Sequence, residues 1–360
     1  MTRLFSPQAL HAAARGALRL SDFGIFWTGI ERISLPGGTG LRGQSCVEYF
    51  IPEKLTEKYP IVFLHGGGQA TDFLSTADGR PGWVHHFVRE GYAVYLVNQP
   101  GTGRSSGAPD LNGPFAPSNS YESTVAMLVA PELVPSNYPQ AQLHTQWPGK
   151  PEIGDPATDA FVASGEPFKL NPIQAQEDVV RGVKELLDHT GPAILVTCSA
   201  GAIPGWLIVD RAPDKVAAIV AVEPFGPPVD GIGPMQLPWG VTASRMAYDP
   251  PAEDAAELHF VLNDPPSPDR VACKLQVEPA RQLVNLRNIP IGIFTSEASW
   301  MVLDNHGTAA FLQQAGCDVD HVYFADRGVR GNGHLPMLER NSDEAAACLT
   351  EWIRAKLSAA

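Results

Sequence analysis

Apolar positions fall into two rhythms along this chain, and their order predicts alternating strands and helices. Short, largely apolar runs read as strands at 61–64, 93–97, 193–196, 217–222, 289–295 and 320–324, the first of them buried. Between them, apolar residues spaced three and four apart predict helices at 83–90, 172–189, 202–212, 307–315 and 342–357. The last of these starts on Ser342 and Glu344, which suit a helix N-terminus. It carries Ala346, Leu349, Ile353 and Leu357 on one face, which should lie against a sheet. Ahead of the first buried strand, 30–35 and 44–50 read as an antiparallel pair around Gly37-Gly38-Thr39-Gly40. The alternation implies an α/β fold with a mostly parallel central sheet and helices on both faces.

Two stretches break the rhythm. Residues 105–170 and 224–285 are rich in Pro, Gly, Ser and Asn and show no clear period. Loops that long inside a compact domain usually serve a function, and both leave the carboxyl ends of strands, where clefts form in parallel sheets. The expectation is a single domain over 1–360, with 105–170 as a cover and 224–285 as a lid.

Composition narrows the function. Net charge is −13 over 360 residues, which argues against a nucleic-acid partner. Five scattered cysteines, Cys46, Cys198, Cys273, Cys317 and Cys348, fit reduced thiols in a cytoplasm better than a disulfide framework. The first five residues begin like an export signal, but His11, Arg15, Arg19 and Asp22 interrupt any apolar run. No stretch of about 18 apolar residues predicts a membrane span. The expected location is cytoplasmic, and a homodimer is left open.

The chemistry-bearing stretch is Thr197-Cys198-Ser199-Ala200-Gly201, set between an apolar strand and an Ala/Gly-rich helix start. Strand, serine at a sharp turn, then helix is the nucleophile elbow of an α/β-hydrolase, with Thr197 where glycine usually stands. Small residues flank the serine because strand and helix pass close together there. Cys198 should pack beneath the turn rather than react.

A serine hydroxyl needs a base to take its proton and a carboxylate to orient that base. His334, in Gly331-Asn332-Gly333-His334-Leu335-Pro336, lies in the loop between the last strand and the last helix, where an imidazole can return over the serine. The acid has two locations. Glu297 and Asp304 follow strand 289–295, the commoner place; Glu223 ends strand 217–222 and is followed by Pro224. Spacing alone does not choose between them.

His65-Gly66-Gly67-Gly68-Gln69 follows a buried strand and reads as an oxyanion loop, with an N–H near Gly67 or Gly68 pairing with that of Ala200. Gly101, Gly103 and Gly107 miss the dinucleotide-binding register by one, so Pro100–Ser105 reads as a turn. No metal-ligand spacing or cofactor motif is present, and none is expected.

Taken together, these residues resemble the bacterial esterase 713-like subgroup of the α/β-hydrolases. The matching stretches run from His65-Gly66 through Asp78-Gly79-Arg80-Pro81-Gly82-Trp83 and Gln99–Ser105 to the elbow. They continue through Glu223-Pro224, Gly226-Pro227-Pro228, Tyr248-Asp249-Pro250-Pro251, Gly331–His334 and Glu339-Arg340-Asn341. The resemblance implies a Ser199–His334–Glu223 triad, which favours Glu223 over its rivals. Some relatives carry adjacent cysteines where this chain has Gly67-Gly68, and some are exported. The implied activity is cleavage of small carboxylic esters through an acyl-enzyme; an amidase or lactonase with the same triad, or a non-catalytic ligand-binding homologue, are the alternatives. Trp147, Phe225, Trp239 and Trp300 suggest an apolar or aromatic substrate portion.

Overall fold

The structure, a computed structural model, describes residues 17–68, 70–105, 108–135, 138–233 and 235–358. The opening residues read for an export signal, Gln69 and Gly107 lie outside the described residues. An eight-stranded sheet organises the chain. Its order is β1 (Leu20–Thr28), β4 (Ser45–Pro52), β6 (Val94–Asn98), β5 (Ile61–Leu64), β7 (Ala193–Cys198), β8 (Val216–Val222), β13 (Ile291–Thr295), β14 (Val319–Tyr323). From β6 to β14 every pairing is parallel; β1 and β4 add an antiparallel edge. This is the α/β-hydrolase architecture.

The wholly apolar runs occupy the centre because both faces of β5, β7 and β8 are covered. One core packs on α3 (Pro172–Thr190), α4 (Ala202–Arg211) and α5 (Asn305–Gln314), through Val179, Val183, Trp206 and Phe311. The other packs on α1 (Trp83–Arg89) and α6 (Ser342–Leu357), through Trp83, Phe87, Leu349 and Ile353. These five helices and the six strands from β5 to β14 of the main sheet therefore stand where periodicity puts them. A further helix of the chain's middle, Pro156–Ala163, is numbered α2.

The opening pair differs from expectation. Residues 44–50 do form a strand, but it pairs with β1 rather than with 30–35. The 30–35 segment instead folds on itself: β2 (Glu31–Leu35) pairs with β3 (Gly38–Arg42), Leu35 opposite Gly38, in a small hairpin outside the main sheet. The two-residue Pro36-Gly37 connection, with φ of +96° at Gly37, closes a hairpin too tight to reach residue 44.

The two irregular stretches are ordered in different ways. The described residues of segment 105–170 form single helical turns and α2 joined by irregular backbone, and Pro167, Phe168 and Lys169 line a cavity over the strand ends. Segment 224–285 contains two hairpins, β9 (Val229–Ile232) with β10 (Met235–Leu237), and β11 (Phe260–Asn263) with β12 (Cys273–Gln276). Met235 from the first hairpin also lines that cavity, whereas Trp239, Met246, Tyr248 and Leu258 are buried in the core against the helices. No helix among the described residues is long and apolar enough to cross a membrane.

Candidate active site

The elbow is a product of close packing. Ser199 follows β7 at φ +50°, a left-handed conformation that costs a non-glycine residue about 1–2 kcal/mol. A Cβ on Gly201 would come within 2.3 Å of the His65 carbonyl oxygen, so position 201 admits only glycine. A Cβ on Gly66 would stand 2.7 Å from the Cβ of Ser199, so the glycine loop lies directly against the nucleophile candidate. Thr197 is accommodated where glycine usually stands because Gly205 of α4 faces it: a Cβ at 205 would come 2.8 Å from the Thr197 Cγ2. The small residue has moved from strand to helix. Cys198 is fully buried, and burial, reinforced by Glu223 and Asp72, pushes its thiol well above its ordinary value. It packs as an inert residue.

His334 comes back over the serine from the loop after β14. Its Nε2 lies 2.9 Å from Ser199 Oγ, and its Nδ1 lies 3.3 Å from Glu223 Oε2. Glu223 is fully buried at the tip of β8, itself at φ +52°, and its Oε1 accepts the Ser296 backbone N–H. Trp300 stacks on the imidazole at 4.1 Å between ring centroids, 28° from parallel, and so fixes the ring plane. Ser299 Oγ lies 3.4 Å from Nδ1. Ser199, His334 and Glu223 are thus brought into one hydrogen-bonded line.

The rival carboxylates stand elsewhere. Glu297 Oε1 accepts the Gly331 N–H at 2.7 Å, and its other oxygen pairs with Arg330 at 3.3 Å, which ties down the base of the histidine loop. Asp304 is buried behind Glu223. Burial first, and the Glu223 charge second, raise its carboxyl to about 8, so it is neutral at pH 7.

On the other side of the serine, Gly66, Gly67, Gly68 and Ala200 line the cavity together. His65, fully buried and held near 4 by burial, is neutral. Its Nδ1–H donates to the Gly66 carbonyl at 3.0 Å and its Nε2 accepts the Gln99 N–H at 3.2 Å. The imidazole thereby joins the glycine loop to the turn after β6. Of the four aromatic residues read as substrate contacts, Trp147 and Trp239 are core residues, while Trp300 stacks on His334 and Phe225 donates its N–H to the Ser199 carbonyl. Sequence reasoning missed the structural work of His65, Ser296 and Trp300; only the position of His65 beside the glycines carried a signal.

A family model of the alpha/beta hydrolase fold matches residues 59–287. The chain belongs to the α/β-hydrolase family. This hydrolase is also 38% identical to a probable secreted lipase, phiG, of a fungal species (strain ATCC 74256), over 86% of its own length and 85% of the relative's. A bacterial esterase solved at atomic resolution superposes with a TM-score of 0.66 at 21% identity, covering 95% of this hydrolase and 98% of that chain, which marks a shared fold.

Proposed function

We propose that the hydrolase cleaves carboxylic esters through an acyl-enzyme. Ser199 attacks the carbonyl carbon as His334 takes its proton, and Glu223 orients the imidazole and stabilises its charged form. The tetrahedral oxyanion is held by backbone N–H groups of Ala200 and of Gly67 or Gly68. His334 then returns the proton to the leaving alcohol, and water repeats the sequence to release the acid. The observation that carries this reading is the unbroken line from Glu223 through His334 to Ser199, with both ring nitrogens engaged. The names of the relatives, lipase and esterase, point the same way.

The cavity beside the glycine loop suits the acyl portion. Phe168, Val179, Ile203 and Met235 give it apolar walls, which favour an aliphatic or aromatic acyl group. Segment 105–170 and the β9–β10 hairpin act in this reading as the cover and lid. A panel of p-nitrophenyl esters of graded acyl length, run beside matched amides, tests it. Ester turnover exceeding amide turnover by orders of magnitude is the expected outcome; turnover of amides alone would overturn it.

A further inference from the structure

His144 belongs to the cover segment, far from the triad in sequence, yet its ring is wedged against the loop that carries His334. A Cβ on Gly333, the residue before His334, would stand 3.2 Å from His144 Cδ2, so the two surfaces meet without a gap. His144 Nε2 lies 2.9 Å from Glu339 Oε1, and Nδ1 lies 2.9 Å from Glu132 Oε2. Glu339 is fully buried and accepts the Gly333 N–H at 2.9 Å and Asn332 Nδ2 at 2.7 Å. The same short stretch of cover brackets the loop at both ends. Thr145 N–H donates to the Gly331 carbonyl at 3.0 Å, and Arg340 N–H donates to the Gln146 carbonyl at 2.9 Å.

A carboxylate only accepts, so a ring held between two carboxylates needs a proton on both nitrogens. Burial alone would lower this imidazole's proton affinity, but hydrogen bonds and charge from Glu339 and then Glu132 outweigh it and hold the group above its ordinary value. The titratable groups around it are these two carboxylates and Tyr138, whose hydroxyl donates to the Ala298 carbonyl and feels both acids. Arg340 donates to the Thr145 carbonyl, and Arg80 to the Glu339 and Arg340 carbonyls.

We propose that His144 is a positioning residue for the reaction: as an imidazolium between Glu132 and Glu339 it fixes the Asn332–His334 backbone, and turnover falls when it gives up its proton. The chain of action runs from His144 through buried Glu339 to Gly333 and so to the His334 ring. It couples the cover to the catalytic base, so the base is fully positioned only when the cover is seated. The inference rests on the Ser199–His334–Glu223 reading above. Because the group is held above its ordinary value, the clamp is complete at low pH and is lost as pH rises through that higher value.

The test is the pH profile of kcat for wild type, E132Q and H144F, with fluorophosphonate labelling of Ser199 in each. The wild-type profile should show a rising limb and, at higher pH, a falling limb as His144 gives up its proton. In E132Q the falling limb should move to lower pH while the rising limb stays. In H144F kcat should drop roughly 100-fold with KM little changed, as for a misplacement of about 1 Å, and the falling limb should vanish. Should H144F fail to fold around its unpaired Glu339, the ¹⁵N signals of His144 in the wild-type protein decide, with both ring nitrogens protonated at pH 6. A ring with one proton at that pH, or a falling limb unmoved in E132Q, overturns the proposal. Absence of label at Ser199 in the wild type would instead defeat the triad reading itself.

Discussion

Ser199 and Glu223 leave neighbouring strands from paired positions, Cys198 opposite Val222, and both turn off at a positive φ near 50°. The parallel register therefore sets the spacing between positions 199 and 223 before any side chain is chosen. His334 has only to descend between them. Glu223 N–H also bonds the Phe294 carbonyl of β13, so its backbone is fixed by strands on both sides.

In the proposed mechanism Glu223 is the acid, and Glu297 and Asp304 are not. Losing the orienting carboxylate leaves the imidazole in the wrong tautomer, which in a serine protease lowers kcat by about 10⁴. E223Q should lower kcat by roughly two to four orders of magnitude with KM little changed. E297Q should cost less, since that carboxylate anchors Gly331 and pairs with Arg330 rather than with the imidazole. Steady-state kinetics of the purified, folded variants decide; a deeper loss in E297Q than in E223Q would move the acid to the later strand.

Asp304 offers a contrast with a definite sign. Its carboxyl sits at about 8 when folded, against about 4 in an unfolded chain. Between those values the unfolded chain has released a proton that the folded one retains, so folding stability falls as pH rises across the window. D304N removes that dependence. It should be the more stable protein at pH 8, by an amount on the order of a few kcal/mol, and the advantage should shrink toward pH 4. Urea unfolding at both pH values measures it. Turnover at pH 7 should stay within a few-fold of wild type, because a neutral amide replaces a neutral acid.

The exchange of small residues between Thr197 and Gly205 predicts non-additive stabilities. G205A alone drives a methyl against Thr197 Cγ2 and should destabilise by about 1–3 kcal/mol. In a T197A background that clash is gone and only the 3.2 Å approach to Ile219 Cδ1 remains, so the same change should cost far less, helped by alanine's helix preference of up to about 1 kcal/mol. A double-mutant cycle read by chemical unfolding gives the coupling. Additive effects would mean that Gly205 is not what admits the threonine.

Much of this was legible in the sequence where local pattern and tertiary demand agree. Strands buried on both faces, such as Ile61–Leu64 and Val216–Val222, must be wholly apolar, and helices lying on them must be amphipathic. The edge was harder. β1 exposes Phe23, Ile25 and Trp27 and turns Phe26 inward, so apolar residues occupy both of its faces and the alternation disappears. Pairing of residues 44–50 then fell to the wrong neighbour. Segment 224–285 hid its core residues for another reason: Trp239, Met246 and Tyr248 are buried from irregular backbone, which has no period to read. At the site, Ser199 and His334 stood out by type and turn position, while spacing left the acid open among Glu223, Glu297 and Asp304. The supporting residues did not stand out, because Trp300, Ser296 and His144 act through contacts between segments distant in sequence.

The central claim is that Ser199 is the nucleophile, and covalent capture addresses it most directly. Wild-type protein treated with a fluorophosphonate should gain one adduct, mapped by peptide mass spectrometry to Ser199, and lose ester turnover in step. S199A should take up no label, remain folded and lose several orders of magnitude in kcat, as triad members act as a unit. An adduct on Cys198, or ester turnover undiminished in S199A, would contradict the account.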